Sequence, residues 1–214
     1  MACQIWPVDY HDRIMKKHLT SLLIAATAAL CGFTSTAVAQ VDAGLVSKFL
    51  EQAKSAPDGQ LGVIASELTG KVQSLGAAVS GNATIKSALD ATLKSLTGGK
   101  DSAALMSAFD LVKAAKLTPE QLGLAKEVGN LASAYVVQKN FTTLEGSHDD
   151  VATIVSSLRG GKLTAAIAPL KNVAGNTHLT AGQKELVKTV ADKYAPGLEK
   201  AKGAVDAIKK LPGF

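Results

Sequence analysis

Apolar residues recur along this chain at helical spacing. Leu105, Ala108, Phe109 and Val112 follow i, i+3, i+4, i+7, which places all four on one face of a helix. Val151, Ile154, Val155 and Leu158 repeat that stripe, and Ile85, Ala88, Leu89, Thr92, Leu93 and Leu96 extend the same rule. Leu198, Ala201, Val205 and Ile208 predict a final helix. No stretch after Gln40 sustains the alternation a strand requires, so the body is expected to be all-α. Alanine, leucine and lysine are abundant, and each loses little side-chain freedom in a helix.

The pattern also repeats. Ser95-Leu96-Thr97-Gly98-Gly99-Lys100 returns as Ser157-Leu158-Arg159-Gly160-Gly161-Lys162, 62 positions later and without a gap. Over the 39 pairs that begin at Ser95 and end at Ser133, 13 are identical. A register of that length points to duplication. A fainter copy precedes these two: Gln60-Leu61-Gly62 echoes Gln121-Leu122-Gly123, and Phe49 stands where Phe109 stands. The expectation is a tandem repeat of about three three-helix units, the last abbreviated, packed as a short right-handed α-solenoid or as one helical bundle.

What recurs is helix punctuation. Thr118-Pro119-Glu120-Gln121 and Thr180-Ala181-Gly182-Gln183 both read as capping boxes, the first with proline at the opening helical position. Leu117 and Leu122 suit a hydrophobic staple across the first box. Gly98-Gly99 and Gly160-Gly161 follow apolar stripes, where a left-handed residue closes a helix. Asp101 or Ser102, and Thr164, are expected to cap the helices that follow.

The N-terminal region reads differently. Lys16, Lys17 and His18 precede a short apolar run from Leu22 to Gly32, and Ala37-Val38-Ala39 gives the small-x-small pattern of signal peptidase sites. The division expected is a mis-called start over 1–14, a signal peptide over 15–39, cleavage between Ala39 and Gln40, and a helical repeat domain over 40–214. Cys31 is a poor lipidation site because Leu30 occupies the position that wants a small residue. Cys3 and Cys31 both lie in the leader, so the mature chain would have neither disulfide nor thiolate chemistry. No later stretch is apolar for long enough to span a bilayer.

Candidate chemistry is thin. The Gly-Gly-Lys pairs lack the spacing of a phosphate-binding loop, and neither Lys100 nor Lys162 is followed by Ser or Thr. Glu145, His148, Asp149 and Asp150 are the densest group of metal-competent side chains, of which His148, Asp149 and Asp150 are the weak candidates for ligands. The simpler reading makes Ser147 a helix cap, with Asp149 and Asp150 in a first turn that favours negative charge. His178, in a loop before Leu179-Thr180, fits no triad spacing. A di-iron site wants Glu-x-x-His on two facing helices, and after Gln40 only Glu145 and His148 have that spacing. Asn82-Ala83-Thr84 and Asn140-Phe141-Thr142 match the glycosylation sequon, which is idle in the bacterial setting the leader suggests. No catalytic residue, metal ligand or cofactor is assigned.

From Gln40 onward, 20 Lys and Arg face 16 Asp and Glu, and Arg159 is the sole arginine. That composition lacks the arginine forks and stacking rings of nucleic-acid sites, so no nucleic acid is expected. Lys200, Lys202, Lys209 and Lys210 concentrate on the last helix, which suits weak contact with anionic surfaces. The expected function is a non-enzymatic binding or structural protein of the cell envelope, periplasmic or secreted, with an unknown protein or envelope component as partner. The alternative is a periplasmic carrier of a small apolar ligand or lipid.

Overall fold

A computed structural model describes residues 41–114, 117–194 and 202–211. The expected leader, the Ala39–Gln40 cleavage pair, Leu198 and Lys200 lie outside the described residues. These contain nine helices and no strand: α1 (Ala43–Lys54), α2 (Gly59–Ala78), α3 (Ala83–Thr97), α4 (Asp101–Lys113), α5 (Pro119–Phe141), α6 (His148–Arg159), α7 (Leu163–Ala174), α8 (Ala181–Tyr194) and α9 (Lys202–Lys209). All nine fall within one unit, Val38–Phe214.

Helix starts follow local chemistry. Asp42, Asp58, Asn82 and Thr118 each accept a backbone N–H of the first turn that follows them, and so satisfy donors that have no partner within the helix. At α5 the capping box is complete: Gln121 N–H donates to Thr118 Oγ1 at 3.3 Å, and Thr118 N–H donates to Gln121 Oε1 at 3.0 Å. Before α8 the same exchange joins Thr180 and Gln183, at 3.2 and 2.9 Å. The two glutamines then reach outward in parallel fashion. Gln121 Nε2 donates to the Ala78 carbonyl at the end of α2, and Gln183 Nε2 to the Asn140 carbonyl at the end of α5, both at 2.7 Å.

The Gly-Gly-Lys segments are helix-to-helix joints. Gly99 and Gly161 have φ of +68° and +66°, the left-handed region glycine enters without a Cβ clash. Lys100 N–H donates to the Ser95 carbonyl, and Lys162 N–H to the Ser157 carbonyl, each at 2.8 Å. The same lysines' carbonyls accept from Ala104 at 2.9 Å and Ala165 at 3.0 Å. Each lysine therefore ends one helix and begins the next. This corrects the expected caps: neither Lys100 nor Lys162 makes a side-chain cap bond, and α4 and α7 start at Asp101 and Leu163 without help from Ser102 or Thr164. With the closing residue already serving as N-cap, no position remains for a hydroxyl cap downstream. Ser147 also departs from expectation. It stands at the N-cap of α6 without a side-chain cap bond, and its buried hydroxyl accepts from Asn176 Nδ2 at 2.9 Å.

Of the two packings expected, the helices form a bundle. Its axis is α5, against which α2, α4, α6 and α8 all pack. Every residue from Leu131 to Gln138 is buried, as suits a helix enclosed on all sides. The apolar stripes of α3, α4 and α6 face inward, with Leu89, Leu93, Leu105 and Leu158 fully buried. Two edge-to-face ring pairs join the helices: Phe49 of α1 with Tyr135 of the axis, centroids 4.9 Å apart, and Phe109 of α4 with Tyr194 of α8, 5.2 Å apart. Beside them, the buried Asp101 carboxylate accepts from Lys139 Nζ at 2.9 Å and Asn140 Nδ2 at 2.8 Å. The N-terminal edge is also seated. Val41 is buried so close to Gly76 that a Cβ there would meet Val41 Cγ2 at 2.8 Å, and Asp42 N–H donates to Asp90 Oδ1 at 3.2 Å.

Two predictions follow from this packing. Gly99→Ala and Gly161→Ala should each lower stability by about 1 kcal/mol in urea unfolding, because alanine resists the left-handed region. Gly98→Ala, at φ −83°, should cost clearly less, and an equal loss there would contradict the joint geometry. The second concerns alkali. Burial, reinforced by the nearby Asp101 charge, raises the Tyr135 phenol above its ordinary value. Burial raises Tyr194 further, partly offset by a Ser133 hydrogen bond. The folded state therefore holds these protons after the unfolded chain has released them at about pH 10. Stability is intact below that pH and falls above it, by about 1.4 kcal/mol per pH unit for Tyr194. Tyrosinate absorbance should accordingly rise together with loss of helical circular dichroism, rather than ahead of it.

Candidate functional site

An open cleft of about 600 Å³ lies between the start of α2, the end of α5 and the length of α6. Gln60 comes from α2, Gln138 and Thr142 from α5 and its C-cap, and His148, Val151, Ala152, Thr153, Val155, Ser156 and Arg159 from α6. The side chains from α6 lie along its flank at i, i+3, i+4 spacing, so one helix face supplies a continuous wall.

The floor is held by an acid that also starts a helix. Asp58 Oδ1 accepts the Gln60 N–H at 2.9 Å, and its Oδ2 accepts Gln138 Nε2 at 2.6 Å. Gln138 Nε2 donates as well to Thr142 Oγ1, at 3.2 Å. These bonds set the orientation of the Gln138 amide, since reversing it would place Oε1 against the Asp58 carboxylate. At the rim, Arg159 and Glu67 pair through two hydrogen bonds, Nε to Oε2 at 3.0 Å and Nη2 to Oε1 at 2.5 Å. That bidentate bond, linking α6 to α2, keeps the guanidinium's affinity for its proton above the ordinary value.

Two other cavities bear on function. On the opposite flank of α2 a shallower groove of about 470 Å³ is lined by Ala53, Lys54, Gly59, Gly62, Val63, Ser66 and Glu67. Under α9 an apolar cavity of about 20 Å³ lies among Ile154, Leu158, Leu170, Tyr194 and Ile208. That space is the size of roughly one water molecule. Ile208 is fully buried, so the apolar side of α9 is already committed to the bundle.

The weak metal candidates are not brought together. His148 lines the cleft, Asp149 is exposed, and Asp150 Oδ1 accepts from Asn172 Nδ2 of α7 at 3.1 Å. Residues two apart on a helix diverge by about 200°. Among the described residues no group of three or more His, Cys, Asp or Glu is placed to hold a metal ion. His178 is exposed, its N–H donating to Asn176 Oδ1 at 2.8 Å. Of the sequon asparagines, Asn82 caps α3, and Asn140 Nδ2 serves Asp101 and the Val136 carbonyl. Just past α9, Lys210 is exposed. No helix among the described residues is long and apolar enough to cross a membrane.

Sequence reasoning missed the floor of this cleft. Gln138 carried one usable signal, a lone amide following the apolar run Val136-Val137, and Arg159 another, as the sole arginine after Gln40. Comparison with known proteins adds no precedent: no family model, characterised protein or solved structure matches the chain.

Because Asp58 both caps α2 and holds Gln138, Asp58→Ala should lower stability by about 2 kcal/mol. Glu67→Ala breaks a partly exposed pair and should cost about 0.5 kcal/mol. Urea unfolding of both variants checks the ranking, and equal losses would mean that Gln138 is not supported from below.

Proposed function

We propose that this protein is an exported, non-enzymatic binding protein of the cell envelope, and that its binding site is the cleft between α2, α5 and α6. One observation carries the reading: an open cavity of about 600 Å³ lined by hydrogen-bonding side chains, with one amide held in a single orientation. Its volume lies within the roughly 300–1,000 Å³ of ligand sites. The alternative, a carrier of a small apolar ligand or lipid, would use the cavity behind Ile208. At about 20 Å³ that cavity admits such a ligand only if α9 is displaced. The cleft is the better supported of the two.

The compartment is part of the proposal. Removal of 15–39 as a signal peptide, with residues 1–14 ahead of the true start, delivers a cysteine-free body beginning at Gln40 to the periplasm or beyond. The leader pattern supports this, as does the burial of Val41 just past the proposed cut. The body is read as three tandem units, α1–α3, α4–α6 and an abbreviated α7–α9. The matched glycine joints and the parallel reach of Gln121 and Gln183 support that division. The partner is an envelope component or protein, and the lysines of α9 make a secondary contact with anionic surfaces.

Native mass spectrometry of the protein purified gently from its host's envelope fraction tests this reading. The expected result is a polar adduct that disappears when Ala152, exposed on the cleft wall, is replaced by Trp. An apolar adduct indifferent to Ala152→Trp would favour the carrier.

A further inference from the structure

Chain ends are ordinarily loose, but the described chain is fixed from its first residue. Val41 is buried, and a Cβ on Gly76 would meet its Cγ2 at 2.8 Å, so the seat exists only because Gly76 has no side chain. Leu89 Cδ1 borders the same spot. One residue on, Asp42 N–H donates to Asp90 Oδ1 at 3.2 Å. The Asp42 carboxylate accepts from Gly44 N–H at 2.8 Å and Leu45 N–H at 3.4 Å, and so starts α1. Gln40, Val41 and Asp42 alone separate the proposed cut from Ala43, the first helical residue.

A cut after Ala39 makes Gln40, itself outside the described residues, the N-terminal residue. A glutamine in that place carries a nucleophile and an electrophile on one residue. Its free α-amine attacks its own side-chain carbonyl carbon, Cδ. The new N–Cδ bond closes a pyrrolidone ring, the Cδ–Nε2 bond breaks, and Nε2 leaves as ammonia with the proton the amine gives up. No oxidant, reductant or co-reactant is needed. The peptide bond to Val41 stays outside the ring, so the seated residue does not have to move.

The seat favours the product and gives it a use. A free amine would be an ammonium just ahead of α1, whose unpaired first-turn N–H groups already make that end positive. The lactam is neutral, which removes the charge. An aminopeptidase that took Gln40 away would place the new ammonium on Val41. That residue would then have to leave its apolar seat, because a charge is costly to bury unpaired. A terminal lactam offers such an enzyme no amine. We propose that Gln40 is a modification site: the mature chain begins with the pyroglutamyl form of this residue, and the ring guards the Val41 seat against trimming from the N-terminus. This rests on the cut being made after Ala39.

The test is intact mass spectrometry of the protein taken fresh from its host's envelope fraction, with N-terminal sequencing before and after pyroglutamyl aminopeptidase treatment of the denatured chain. The expected mass is that of residues 40–214 less one ammonia. Sequencing should be blocked until the ring is removed, and should then read from Val41. Gln40→Asn, whose shorter side chain could close only a strained smaller ring, should keep its ammonia and a free amine. Incubated folded with a general aminopeptidase, that variant should be trimmed and lose thermal stability, while the natural chain is unchanged. A full mass for 40–214 with a readable Gln40, or an ammonia loss that develops only on storage, would overturn the cyclisation and leave the cut in place. A chain that begins elsewhere would overturn both. Equal resistance of Gln40→Asn to the aminopeptidase would overturn the guarding role.

Discussion

A helix buried on every side cannot stand alone, and that requirement organises this molecule. From Leu131 to Gln138 each residue of α5 is removed from solvent. Four other helices have to surround it, and each presents one apolar stripe while keeping a polar face outward. The chain meets the demand with short connections. Gly99 and Gly161 reverse its direction, and the next helix begins on the residue that closes the last. The Phe49–Tyr135 pair and the Asp101–Lys139–Asn140 cluster then hold the outer layer to the axis, and Phe109–Tyr194 joins α4 to α8.

Much of this was legible in the sequence because it depends on neighbours in the chain. The stripes of α3, α4 and α6, the box at Thr118 and the glycine-closed ends all rest on interactions within a few residues. The choice between solenoid and bundle did not, since it turns on what surrounds α5. The periodicity of α5 gives no direction, because a helix apolar on all sides has no preferred face. The expected hydroxyl caps at Ser102 and Thr164 failed for a related reason. A cap is a competition among adjacent residues, and the backbone of Lys100 and Lys162 had already taken that place.

The cleft was harder to foresee because its parts come from distant positions. Asp58 reads as an ordinary helix start, Glu67 and Arg159 as surface charges, and Thr142 as part of a sequon. Only packing brings the α2 cap beneath the α5 amide, and Glu67 to the last residue of α6. The result is a site whose ionic groups answer one another. Asp58 is met by amide donors and Arg159 by Glu67, so selectivity falls to neutral hydrogen bonds and shape. Recognition of the kind proposed would be little affected by ionic strength, unlike binding steered by unpaired charge.

The joints at Lys100 and Lys162 have a kinetic meaning as well. A hinge needs residues whose backbone can turn without breaking bonds. Here one residue is hydrogen-bonded into the helix on either side of it. The cleft wall, α6, is joined in this way to α7 and clamped to α2 through Arg159 and Glu67. At this end the cleft wall has no free backbone about which to swing. An occupant bound there as proposed would enter and leave at rates set by diffusion and by the contacts themselves, as on a fixed peg rather than in a trap.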